Sequence, residues 1–572
     1  MLRGAVAALA ILLMAACGVA AGQSNGGLQP TTPAQAIIGA QQLVDAFAQD
    51  ALRLRGEVKA PTATITHTRS LTDAEVLQIA RTSGRVRDWI HDHPVTRTTP
   101  SYDAVKDEFT VWFVHKDKKG RETTEAQVFI ADETGEITEV RTGPQVAWMM
   151  ARGYQGSFGR SINKVGVWLF LSALFLLPLL SRRLLSWRTL DLLALLSFSA
   201  SLYWFNRGEI FTSVPLSYPP MLYLMARLTW VGLRRMRAPR VPPPIGGRVL
   251  RRLVFPGWSP TWVLVTALCL ALGLRYGLNA FDSNVIDVGY AGVIGADRIQ
   301  HGVTPYGTFP SDCGQCDTYG PLNYLAYVPF EVAQPWDGKW DSLPAAHGAA
   351  TAFDLLCVAG MLVLGWRLSG LRLGMALSLA WAAFPFTGYA LLSNSNDELV
   401  AACLIWGLVF ARRPLVRGLM LGLAVATKFG PAILALLWWR RPFPRPGRRR
   451  EPVRFALGLV LAAVLTGWVL LLDGLKGVTA FWDRTLGYQL HRESPFSVWG
   501  QHPGLRPLQV ALSILVVLAA LALVRWPRHL DLLSVTALSG AVLLGTQLVM
   551  THWFYLYIPW FLPFALLAFV PT

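Results

Sequence analysis

The sequence predicts a mostly α-helical, polytopic membrane protein of about thirteen spans or half-spans, preceded by a small α+β domain. Three observations carry this. The 572 residues are 53% hydrophobic and only 15% charged, against about 25% charged in an average soluble chain. The apolar residues concentrate in long runs over residues 161–572, whereas residues 24–160 are patterned like a soluble domain. The net charge of +17 sits in short clusters between the apolar runs: Arg182, Arg183 and Arg188; Arg234 to Arg252; and Arg440 to Arg454. Basic loops beside spanning helices mark the cytoplasmic side, so the charge reports topology and argues against a nucleic-acid partner.

Residues 1–22 place Arg3 before an apolar stretch and end on Val19-Ala20-Ala21. This is a cleaved secretory signal, a lipobox ending at Cys17, or a retained anchor. All three put the next segment, residues 23–155, outside the cytoplasm. There Thr72 and Glu75 have capping-box spacing ahead of Val76, Leu77, Ile79 and Ala80. Phe109, Val111 and Phe113 alternate as a strand, and Val128/Ile130 and Ile137/Val140 give two more. With the run AQVFIADETGEITEV, this helix-then-sheet order resembles a PepSY-like domain. No catalytic cluster stands out in it.

Alternating the basic clusters from an outside start threads the spans. Residues 161–258 form an accessory three-span segment with a basic cytoplasmic loop, and residues 259–572 hold the remainder. Between Arg417 and Arg440 lie only 22 residues. One helix across them would carry Arg440 to Arg454 outward, against the positive-inside rule. Breaking them at Lys428-Phe429-Gly430-Pro431, strong helix punctuation, gives a hairpin whose arms each reach only about 16–18 Å. Lys428 at the tip then requires a protein-lined or wet cavity. Long polar loops precede Ala345 and cover residues 473–505. In the first, Asp287–Gln300 reads as a helix along the membrane surface, with Asp287 and Arg298 on one face.

The order of several motifs resembles the C-type (GT-C) glycosyltransferases that use polyprenyl-phosphate sugars, as in actinobacterial cell-envelope mannosyl- and arabinofuranosyltransferases. The motifs are DVGYAGVIGADRIQHGVTPYG, DTYGPLNYLAYVPFE, SNSNDELVAACLIWGL, GLMLGLAVATKFGPAILALLWW and THWFYLYIPWFLP, over residues 259–572. The resemblance implies a GT-C-like catalytic membrane domain. It implies transfer of a mannose- or arabinofuranose-class sugar from a polyprenyl-phosphate donor to an envelope glycan or glycolipid, at the outer face of the plasma membrane. Such a donor needs a carboxylate to take the acceptor proton and cations for the leaving phosphate. No metal or other cofactor is demanded.

Asp287 or Asp282 is the candidate base, and the choice between them stays open; Asp287 otherwise reads as a helix cap. Lys428 is the candidate phosphate partner, or else the partner of Asp397. Arg484, His491 and Arg492 are candidates for closing over the site, with solvated loop charge as the alternative. Tyr290, Tyr306 and Tyr319 stack on sugar or isoprenoid, or else belong to the interfacial aromatic belt. Asn396 and Asp397 border the cavity or cap a helix. His552, at the start of the last span, is a weaker candidate. Cys313 and Cys316, a Cys-Gly-Gln-Cys pair in an outer loop, are expected as a disulfide. The rival readings are a transporter or flippase of a lipid-linked sugar, which should show matching broken helices in two halves, and a membrane sensor.

Overall fold

The computed structural model describes residues 69–570 apart from 105, 117–119, 121, 181–184, 235–258, 341–342, 440–450, 493 and 527–530. The signal or anchor segment, Cys17 and most of the second and third basic clusters lie outside the described residues. The chain divides into two compact units, residues 1–149 and 150–572.

In the first unit the expected capping box is present. Thr72 N–H donates to Glu75 Oε2 at 2.8 Å, and Glu75 N–H donates to Thr72 Oγ1. It opens the helix Asp73–Thr82, and a second helix, Gly84–Asp92, follows at once. Four strands then form an antiparallel meander in chain order: β1 Arg97–Asp103, β2 Glu108–Lys116, β3 Glu122–Ala131 and β4 Ile137–Thr142. Val76, Ala80 and Val86 of the helices pack on Phe109, Val111, Phe113, Val128 and Ile130 of the sheet. Strand β1 was not expected from the sequence. It carries Pro100 and buries no residue fully, as an edge strand does. The likeness to a PepSY-like domain finds no support beyond this small helix-and-sheet layout.

The second unit is helical and multi-pass. All thirteen apolar segments, expected as spans or half-spans, contain helix, but not all are long enough to cross a membrane alone. Among the described residues five helices are long and apolar enough to cross a membrane: Thr261–Phe281, Pro344–Ser369, Glu451–Leu471, Pro503–Arg525 and Leu532–Val549. A sixth span results if Leu371–Ala383 and Pro385–Leu392, bent by 57° at Phe384-Pro385, count as one. The difference has a local cause. Several segments are broken or short: Trp187–Leu196 ends at Ser197, and Pro414–Thr427 stops at Lys428. Burial divides the helices further. Leu532–Val549 is buried almost throughout, whereas Arg506–Arg525 leaves Ile514, Leu515 and Leu518 exposed, an apolar surface suited to lipid.

The expected hairpin forms. Helix Pro414–Thr427 ends at Lys428, whose backbone is extended, and a 3-10 turn, Gly430–Leu434, leads into Ala435–Trp438. A Cβ placed on Gly407 would lie 3.5 Å from Met420 Cβ and 2.5 Å from Trp438 Cζ3. One straight helix would hold those two residues about 27 Å apart, so the chain has turned back. The first arm packs on Glu451–Gly467 backbone to backbone: any side chain at Gly418 would collide with Phe455 O, and any at Gly458 with Leu415 O.

Candidate functional site

Asp287 is the first residue of the helix Asp287–Gln300. The segment leading into it is pinned to the end of Pro385–Leu392: Asn284 N–H donates to Leu392 O (3.2 Å) and Ile286 N–H to Ser393 O (3.3 Å). Asn394, at φ +50°, braces the same segment by donating to Asn284 O at 3.0 Å. The helix does not lie along a surface with one apolar face. Every residue from Val288 to Ala296 is buried. Gly289, Gly292 and Gly295, three apart, let Asn394 O, Tyr327 and Tyr324 press directly against its backbone. Nor is Asp287 the cap: Ile286 holds that position, and the Asp287 carboxylate accepts from Val288 N–H at 2.9 Å.

Lys428, at the hairpin tip, donates to Asp397 Oδ1 at 2.7 Å. Trp560 Nε1 donates to the same oxygen at 2.9 Å, and Asp397 Oδ2 has no hydrogen-bond partner among the described residues. The ammonium lies over the Tyr319 and Tyr557 rings, at 5.2 and 5.3 Å. The pairing alternative for Lys428 is therefore realised, and Asp397 is its partner. An ammonium has three donors, and this one also borders open space.

That space is a cavity of about 340 Å³ whose wall includes Asp287, Tyr319, Asp397, Lys428, Arg492 and His552. Asp287 keeps exposed surface and is one of the residues lining this cavity. Desolvation by the protein around it raises its carboxyl above the ordinary range, while the Val288 N–H and the charges of Lys428 and Arg492 pull it partly back. The His552 ring is held between Ser494 Oγ (2.8 Å from Nδ1) and Arg492 Nη2 (3.4 Å from Nε2). A guanidinium only donates, so Nε2 is the acceptor and the proton sits on Nδ1. Burial and the neighbouring Arg492 and Lys428 charges hold the imidazole neutral, well below its usual pKa.

The other expected residues fall elsewhere. Asp282 follows the last residue of Thr261–Phe281, where its carboxylate accepts from Ser161 Oγ and from Lys164 Nζ (3.0 Å); it does not line the cavity. Its Ser161 and Lys164 hydrogen bonds hold it below the usual carboxylate range. Arg484 is outside the cavity wall too. Its Nε donates to Asp317 Oδ2 at 2.8 Å and its Nη2 to Gly314 O, so it ties down the first polar loop. The side chain of His491 lies outside the described residues. Tyr290 donates to Asp312 Oδ2 (3.0 Å) and stacks on Trp340, while Tyr306 donates to Tyr319 O (3.0 Å). Both are therefore struts of the loop, not cavity surfaces. Asn396 is buried and donates to Asn323 Oδ1. Cys313 and Cys316 are joined as a disulfide.

One constellation escaped the sequence. Arg275 is fully buried with Asp354 (2.9 Å) and Glu398 (3.4 Å). Tyr276 and Trp381 donate to Asp354 at 2.7 Å each. Its signal was present as lone charges inside three apolar runs, which seldom stand unpaired. It sits beside the cavity through Glu398, the neighbour of Asp397.

Residues 318–551 match the family model described as Glycosyltransferase family 87. The match includes Lys428 and Arg492, begins downstream of Asp287 and stops one residue before His552. Neither a curated protein nor a solved structure matches the chain.

Proposed function

We propose, for a multi-pass membrane protein whose residues 318–551 carry a glycosyltransferase family 87 region, that the 340 Å³ cavity is the sugar-transfer site. The donor is a polyprenyl-phosphate sugar of the mannose or arabinofuranose class, and the acceptor is an envelope glycan or glycolipid. The cavity opens outside the cytoplasm, because the basic loops of the spans stay on the cytoplasmic side. The small N-terminal sheet domain then lies outside as well, as a packing or regulatory module.

The supporting observation is that a solvent-accessible carboxylate, Asp287, shares one cavity wall with two cations, Lys428 and Arg492. Asp287 takes the proton of the acceptor hydroxyl as that oxygen attacks the anomeric carbon. The bond from that carbon to the donor phosphate breaks, and its electron pair leaves with the phosphate. Lys428 and Arg492 stabilise the charge the phosphate gains. Lys428 offers a compact ammonium, and Arg492 offers planar donors that match phosphate oxygens. Tyr319 and Tyr557 supply aromatic surface beside the sugar. His552, neutral and donating to Ser494, accepts from Arg492 and so orients it.

The test is transfer from radiolabelled polyprenyl-phosphate mannose and arabinose in membranes. Asp287→Asn should lower transfer by roughly 10²–10⁴-fold, the usual contribution of a positioned base. Asp282→Asn should leave it near wild type, because its carboxylate is occupied by Ser161 and Lys164. Transfer that survives Asp287→Asn rejects the assignment.

A further inference from the structure

A second cavity, of about 440 Å³, is walled in part by Leu408 and Val409. These close the helix that Asp397 opens, twelve residues earlier and so about 18 Å away. Three of the residues around it are arginines, Arg367, Arg412 and Arg413, and among the described residues none is acidic. Two are arranged about one ring. Arg367 Nη1 donates to Val409 O at 3.0 Å, and the Arg367 and Arg413 guanidinium carbons lie 5.6 and 5.9 Å from the centre of the Phe410 ring. All three arginines keep exposed surface. The remaining wall is largely aliphatic, with Leu364, Leu408 and Leu532.

The position in the fold matters as much as the charge. Leu364 and Arg367 belong to the end of the span Pro344–Ser369, and Leu532 is the first residue of the span Leu532–Val549. The cavity therefore lies where spanning helices meet the head-group layer. We infer that it binds an anionic phospholipid, with the head-group phosphate among the three arginines and an acyl chain along the leucines. Guanidinium groups match phosphate oxygens two at a time, and basic pockets between spans suit anionic head groups. A soluble anion would make no use of the leucine wall, and a zwitterionic head group would bring its own cation against three others.

The full-length protein, purified in detergent, can be titrated with phosphatidylglycerol, phosphatidylcholine and inorganic phosphate. Bound lipid is read by native mass spectrometry and stability by thermal shift. Wild type should hold phosphatidylglycerol in preference to phosphatidylcholine and gain thermal stability from it, with no gain from inorganic phosphate at the same concentration. Arg412→Gln and Arg413→Gln should each weaken phosphatidylglycerol binding by roughly fivefold, and Asp287→Asn should leave it unchanged. Equal retention of the two lipids by wild type overturns the proposal, a measurement that needs no variant to fold. Stabilisation by inorganic phosphate alone, or undiminished phosphatidylglycerol binding in the Arg412→Gln/Arg413→Gln double variant, overturns it too.

Discussion

Replacing Lys428 by methionine keeps most of the side chain's bulk and removes its charge. What remains is an Asp397 carboxylate with no exposed surface, one hydrogen bond from Trp560 and an unpartnered Oδ2. Leaving one member of a buried pair without its partner costs about 3–5 kcal/mol, whereas neutralising both members is often close to neutral. Lys428→Met should therefore unfold at markedly lower denaturant in mixed micelles. Lys428→Met/Asp397→Asn should recover most of that loss, since the Asn oxygen still accepts from Trp560. Transfer separates the two roles of the lysine. If Lys428 also stabilises the leaving phosphate, the double variant folds yet stays roughly 10²–10³-fold slow, the usual cost of removing one such electrostatic partner. A double variant with wild-type rates would reduce Lys428 to a structural ion, and a single variant as stable as wild type would refute the buried-pair reasoning itself.

Two further outcomes follow from the site's geometry. A base works only when deprotonated, and desolvation by the surrounding protein raises Asp287 above the ordinary value of 3.8, so kcat/KM should fall with decreasing pH along a limb lying above that of a freely solvated aspartate; because the Arg492 charge opposes the shift, Arg492→Gln should move the limb to still higher pH, and an unmoved limb contradicts the assignment. Gly295→Ala would drive a methyl into the Tyr324 ring, so thermal unfolding should show a loss of about 1–3 kcal/mol from overpacking, with slower transfer as the helix carrying Asp287 shifts.

What the sequence made legible, and what it did not, divides along physical lines. The hairpin was readable because its evidence is local: Gly430 and Pro431 break a helix wherever they stand, and the basic residues flanking both arms demand the same side. The capping box at Thr72 and Glu75 was readable for the same reason. Asp287 was visible as a candidate, but its place on the cavity wall, which Asp282 does not share, was not. That depends on which carboxylate finds Ser161 and Lys164, more than a hundred positions away. Arg484 misled in the same manner, since its partner Asp317 lies 167 residues off. The glycines at 289, 292 and 295 were a spacing signal that a surface-helix reading passed over; they mark a helix pressed by neighbours, not one facing head groups. The count of thirteen spans or half-spans exceeds the five or six helices long enough to cross because hydropathy counts apolar runs and does not sense where a run folds into a helix too short to span, such as Val165–Leu179 or Trp187–Leu196.

The central claim is that Asp287 and Lys428 serve one ligand, and a structure of the protein with polyprenyl phosphate bound tests it most directly. The phosphate should rest within hydrogen-bond reach of Lys428 and Arg492, with the Asp287 carboxylate facing the space where the sugar would sit. A phosphate seated outside this cavity, or one in it with Asp287 closed off, would contradict the account.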